Sequence, residues 1–368
     1  MTTSVPSPQD DMRRALGDSA ARLLAAGGQV PGVYAAMVDA GWLAVGLAEE
    51  AGGLGLGLGD LAELARAVGE ARCTVPVMAV AGVGLPLLAE AGGPFVDTLV
   101  AATLAGTAVP VLAHQGADAG YARGHGAATL EPGSDGWRLR GRLVAVEGAA
   151  LADHLLVPAR RADGTCTVAV VATAEGGVER RCYAALDGRL LMDVTLDAVV
   201  PEDRLLPLAD ADAAVDAALD RGALLAMAEA VGSMRVLMSD TLAYLKTRQQ
   251  FGQPIGRFQA LQHRAVDMTI ALEEAEAVVD AACAAGPGAE FSRAVAVAKV
   301  VACRAARLIG REAVQMHGGI GITEDLRVSH HFRALVAAEG RYGDDDAYRA
   351  RFAALDAGHP LPAQEHRP

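Results

Sequence analysis

Arg248-Gln249-Gln250-Phe251-Gly252-Gln253-Pro254-Ile255-Gly256-Arg257-Phe258-Gln259 joins two long helix-forming stretches, and its reading decides the fold. Gly252, Pro254 and Gly256 make a rigid turn, and Arg248 closes the helix before it. A guanidinium in that position can pair bidentately with a pyrophosphate. Phe251 can pack on an aromatic ring, and Gln259 can hydrogen-bond. A plainer reading also stands, in which Arg248 only complements the helix C-terminus and the glycines only turn the chain.

Working outward, residues Asp210 to Arg248, Leu261 to Ala285 and Glu290 to His317 carry helical apolar spacing. At ~1.5 Å per residue each spans roughly 40–50 Å, and with one shorter helix they predict a four-helix bundle over 209–358. Gly318-Gly319 stands where the third helix should stop. Residues 107–208 read differently. Short β-prone runs at Trp137 to Val146, His154 to Pro158, Thr165 to Ala172 and Leu190 to Val200 lie between turn signals such as Asp163-Gly164 and Asp187-Gly188. They predict a small antiparallel barrel or sandwich. Residues 1–106 return to helix, at Met12 to Ala26, Val33 to Ala40 and Leu61 to Ala71, with Asp60 placed to cap the last of these. A tail follows over 359–368. The fold class is mainly α with a β middle domain.

The bulk numbers exclude several classes. A net charge of −13 with no dense Lys/Arg block argues against nucleic acid and anionic membrane surfaces. It leaves room for an anionic cofactor held by local arginines and helix ends. The five cysteines are far apart with no C-x-x-C pair, so neither a disulfide framework nor a zinc site is expected. His317, His330 and His331 have no carboxylate or cysteine at ligand spacing, so no metal is expected. Met1 to Asp11 is polar without an apolar signal core, which points to a cytoplasmic protein. Met227, Met234 and Met238 form a helical stripe of core residues.

The quoted stretch resembles the R-x-x-F-G-x-P-I-x-x-F-Q signature of the acyl-CoA dehydrogenases. Gln315-Met316-His317-Gly318-Gly319-Ile320-Gly321 is similar to that family's Q-x-x-G-G-x-G segment, and Glu50 to Gly59 resembles its E-x-G-G-x-G loop. Together these span nearly the whole chain. The resemblance implies a helical domain, a β domain and a bundle, with FAD shared across a subunit interface. It implies that Arg248, Phe251, Gln259, Gln315, Gly318 and Gly319 serve the adenosine-diphosphate half of a neighbour's FAD. It implies an acyl-CoA substrate, oligomerisation with itself or a paralogue, and an electron-transfer flavoprotein or similar acceptor.

The family's chemistry also needs a base for the α-proton, which a carboxylate in a dry pocket supplies. The family's usual glutamate lies nine residues after an arginine corresponding to Arg333, and that position is Tyr342. An alternative lies twenty-six residues before Arg248, and that position is Gly222. Glu339, near Tyr342, is a candidate substitute, with Asp220 and the Asp344 to Asp346 run considered beside it. The resemblance implies that a T-E-P-like and a W-x-T-like segment lie against the flavin ring; the corresponding stretches are Ala113-His114-Gln115 and Val144-Ala145-Val146-Glu147, without the expected hydroxyls. Three readings follow: a partner chain completing the FAD site of a catalytic paralogue, a self-sufficient enzyme with a relocated base, and a non-redox protein on the same fold.

Overall fold

The structure is a computed structural model that describes residues 8–121, 123 and 127–357. The expected tail over 359–368 lies outside the described residues, as do residues 1–7 of the polar N-terminal stretch.

Six helical segments come first: α1 (Pro8–Ala25), α2 (Val30–Asp39), α3 (Leu58–Ala71), α4 (Val77–Ala79), α5 (Leu85–Ala91) and α6 (Pro94–Leu104). A π-helical turn, Val80–Gly84, links α4 to α5. Prolines at the first turn of α2, α5 and α6 sit where a missing N–H costs nothing. The cap of α3 differs from expectation. The helix begins two residues before Asp60, and Asp60 reaches back to accept from the Gly57 N–H at 2.9 Å. The glycines before it carry no side-chain acceptor of their own, so the carboxylate inside the first turn does that work.

Seven strands form one sheet: β1 (Pro110–Leu112), β2 (Ala128–Gly133), β3 (Gly136–Glu147), β4 (His154–Arg161), β5 (Cys166–Ala172), β6 (Val178–Ala184) and β7 (Leu190–Val200). The β2–β3–β7–β6 run and the β4–β5 pair are antiparallel. The expectation of a purely antiparallel sheet fails at β4. One edge of β4 is shared by β1 near its start and β2 near its end, both parallel to it. A bulge interrupts β3 between Leu143 and Val146, with Ala145 at φ 53°. Bulges re-aim side chains, and beyond this one Glu147 pairs with Leu191.

The remainder is helical: α7 (Ala211–Thr247), a two-stranded turn of β8 (Gln249–Gln250) and β9 (Gln253–Pro254), α8 (Gln259–Ala284), α9 (Ala289–His317), α10 (Arg327–Glu339) and α11 (Asp345–Asp356). Among the described residues α7 is the one helix long and apolar enough to cross a bilayer, yet 78% of that apolar window is buried inside the protein. It is the central core helix, with Met227, Met234 and Met238 all buried. It also crosses α3 backbone to backbone. A Cβ on Gly69 would stand 1.8 Å from the Glu229 carbonyl oxygen, and one on Gly232 would stand 2.0 Å from that of Arg66. This contact brings Glu229 toward the β sheet.

Candidate functional site

The three segments that sequence reading assigned to one centre do converge. His114 and Gln115 after β1, Val144 to Glu147 at the β3 bulge, and Tyr342 in the α10–α11 turn line a single cleft of about 140 Å³. Buried charge fills its floor. The Arg341 guanidinium donates to Glu147 at 2.7 and 3.1 Å and to both oxygens of Glu229. Arg189 donates to Glu147 at 2.9 Å and to Asp187 at 2.6 Å. Burial alone pushes the Glu147 carboxyl up, but Arg341 and Arg189 outweigh it and bring it down to about 2. Burial likewise works against charge on Arg341, and its two carboxylates more than reverse the effect. Glu147 and Arg341 are therefore both charged, each held so by its oppositely charged partners.

Tyr342 and Gly222, the two positions where a base was sought, touch each other. A Cβ on Gly222 would lie 2.6 Å from the Tyr342 ring. The ring is held there by a left-handed backbone, φ 58°, uncommon for an aromatic residue. Its plane is within 7° of the His114 ring, at 6.0 Å between centroids. Burial and the nearby Glu147 carboxylate push the phenol well above its usual range, so it stays protonated. Behind the turn, the fully buried Lys299 donates to the carbonyls of Ala338 and Arg341 at 3.0 and 2.9 Å. Burial brings its amine down to about 8.

Glu339 lies elsewhere. It accepts from Arg307 of α9 at 2.8 Å and does not line the cleft. Asp220 is buried against Arg351 at 2.9 Å and Arg123 at 2.7 Å. Asp344 accepts from the Ala347 N–H and caps α11. Arg333 is paired with Glu324. None of these lines the cleft.

A second constellation stands at one end of the bundle. Arg248 caps α7, and the last turn of α9 packs beside it, with the Tyr244 and His317 rings stacked at 4.4 Å. Arg248, Gln259, Gln315, Gly318 and Gly319 are all exposed. No side chain of Arg248, Gln259 or Gln315 is hydrogen-bonded among the described residues. Phe251 is 90% exposed, edge-on to Phe258. Nothing lies within 4 Å of where a Cβ on Gly318 or Gly319 would be, so backbone is open to close approach.

Residues 213–354 match the C-terminal domain of the acyl-CoA dehydrogenases. Acyl-CoA dehydrogenase IpdE2 of Mycolicibacterium smegmatis is 40% identical over 114 residues, 31% of this chain and 35% of that protein. The aligned stretches span about a third of the length of the first curated relatives. The fold is shared along the whole chain. The ChsE4-ChsE5 complex of Mycobacterium tuberculosis superposes with a TM-score of 0.85 at 23% identity, covering 98% of this chain and 100% of that one. A variant of the Tcur3481-Tcur3483 steroid ACAD gives 0.83 at 28% identity, covering 95% and 98%. Residues 213–354 belong to the acyl-CoA dehydrogenase family, and the whole chain has that family's fold.

Within an acyl-CoA dehydrogenase frame, the sequence motifs located the cleft and the bundle end but missed what fills the cleft. Arg341, Arg189 and Glu229 carried no signal of their own. The one available hint was a charged pair, Arg341 and Glu147, standing in two segments already assigned to the same place.

Proposed function

We propose that this chain is a subunit of an FAD-dependent acyl-CoA dehydrogenase, an oxidoreductase that desaturates the Cα–Cβ bond of a CoA thioester. It serves there as the partner of a catalytic paralogue. The observation that carries the reading is the exposed bundle end, where Arg248, Phe251, Gln259, Gln315, Gly318 and Gly319 gather and, among the described residues, the side chains of Arg248, Gln259 and Gln315 have no hydrogen-bond partner. That surface fits the adenosine-diphosphate half of FAD. Arg248 would hold the pyrophosphate through charge-assisted hydrogen bonds. Gln259 and Gln315 would orient the group, and the Gly318-Gly319 backbone would let it approach. FAD supplies the hydride acceptor when bound to the paralogue; this chain supplies position.

Cleft chemistry supports the partner role over self-sufficiency. Among the described residues, Glu147 is the carboxylate that lines the cleft, and it is committed to Arg341 and Arg189, while Glu229 beyond it is committed to the same Arg341. The Tyr342 phenol stays protonated, and Glu339 is tied to Arg307. Among the described residues, no carboxylate lining the cleft is left unpaired to take an α-proton. One structural neighbour, ChsE4-ChsE5, is a complex by name, and another carries the paired name Tcur3481-Tcur3483.

The test is co-expression with a catalytic paralogue encoded nearby, followed by FAD quantification in the purified assembly. Losing an Arg–phosphate contact costs about 2 kcal/mol, so Arg248→Ala is expected to loosen FAD roughly 30-fold. Turnover with acyl-CoA by the chain alone, or an FAD affinity indifferent to Arg248, would overturn the reading.

A further inference from the structure

The cofactor that the family implies does not fit this chain's own cleft. We infer that the Arg189–Glu147–Arg341–Glu229 ion network closes the cleft against a flavin ring and takes over its place in holding the surrounding elements together. The inference rests on the family reading above, which puts the ring against the segments at His114 and at Val144 to Glu147 and the base at position 342. Three observations carry it.

The first is chemical. The cleft presents a carboxylate, Glu147, in a segment whose family pattern carries a hydroxyl, and side chains of Glu147 and Arg341 are only 18% and 9% exposed. An uncharged ring laid on these groups would have to part ions that satisfy each other in a dry place, with nothing to offer in exchange. The second is geometric. Arg341 comes from the α10–α11 turn and reaches β3 and α7 at once, so its guanidinium bridges three separate parts of the chain. Arg189 extends the bridge to the start of β7. A ring in the cleft would interrupt that path. The third is the backbone. Tyr342 is held in the left-handed region, Lys299 clamps the carbonyls on either side of Gly340, and the Tyr342 ring covers Gly222. The turn that delivers Arg341 is thus fixed from behind, and the network is built in rather than a side chain swung into a vacancy.

The experiment uses the full chain alone and lumiflavin, the isoalloxazine without its ribityl and adenosine parts, so the bundle end plays no part. Equilibrium dialysis and the visible spectrum report binding, and thermal melting reports linkage. A ligand that binds the native state raises the melting temperature by mass action. Wild type is expected to take up no lumiflavin, with an unshifted melt. Stoichiometric uptake by wild type with a perturbed spectrum overturns the proposal. The opened variant is Glu147→Thr with Arg341→Tyr and Glu229→Gln, the last included because removing Arg341 strands the Glu229 carboxylate. A folded opened variant, judged by circular dichroism, should bind lumiflavin at least ten-fold more tightly than wild type. A folded variant that still binds none shows that the network is not what excludes the ring. If that variant does not fold, Glu147→Ser with Arg341→Phe and Glu229→Gln replaces it under the same criteria. Failure here leaves the bundle-end reading intact, because that reading stands on Arg248 and FAD retention in the co-expressed assembly.

Discussion

A carboxylate flanked by two guanidiniums in a dry site titrates far from its ordinary range, and Glu147 is such a group. Its folded value of about 2 lies below the ordinary 4.5. A depressed acid contributes stability that is fully present above the unfolded value and is lost as pH falls toward the folded one. The window is therefore from about pH 4.5 down to 2, and the amount is roughly 3 kcal/mol. Glu147→Gln should lower the unfolding free energy at neutral pH by about that much and flatten the acid limb, as measured by urea unfolding across the pH range. An acid limb unchanged in the variant would show that Glu147 is not the group responsible. Tyr342 and Gly222 make a second prediction. Alanine at Gly222 in wild type collides with the Tyr342 ring and should destabilise by about 1–3 kcal/mol. In a Tyr342→Gly background the same change should become neutral or favourable, since alanine is the better helix former by ~1 kcal/mol. A thermodynamic cycle from chemical unfolding gives the coupling, and additivity would contradict the contact. That Tyr342 and Gly222 stand where the resemblance expects a glutamate was legible by counting along motifs. The network was not, because Arg341 meets Glu147 across 194 residues and Glu229 across 112, and no local pattern marks such pairs.

At the scale of elements, helical periodicity was the most readable signal. The three long bundle helices end where Arg248, Ala285 and Gly318 suggested, because the stop signals are chemical and local. The sheet was less legible. Strand runs were found by their β-branched content, but the parallel partners of β4 depend on how β1 and β2 divide one edge, which no run records. The bulge at Ala145 was likewise silent, although it sets where Glu147 points. Close helix crossing was also hidden among forty-two glycines. Only the structure singles out Gly69 and Gly232 as the α3–α7 contact. Gly232→Ala should force the helices apart and cost about 3 kcal/mol, against the stabilisation of up to ~1 kcal/mol that alanine brings to an open helix position. Melting temperature of the purified variant checks this; a stabilised variant would mean that the crossing is looser than the geometry shows.

For the whole molecule, charge and apolar exposure divide the surface in a way that bears on assembly. A chain of net charge −13 repels its like at long range, so stable association needs a local apolar contact to overcome that repulsion. The bundle end offers one. Ile322 is 69% exposed and Ile320 44%, on the turn after α9 and at the same end as Phe251. Large aliphatic side chains left in water contribute nothing to the isolated fold, whereas each fully covered one contributes about 1.5–3 kcal/mol. Ile320→Ser with Ile322→Ser should therefore leave the unfolding free energy of the separate chain within about 0.5 kcal/mol of wild type. The same pair should weaken assembly, with a paralogue or with a second copy, by 10-fold or more. Light-scattering mass against concentration reads the second effect and chemical unfolding of the dilute chain reads the first. The two readouts separate interface from core: loss of both stability and assembly would place the isoleucines in the fold, and loss of neither would remove the bundle end from the assembly surface.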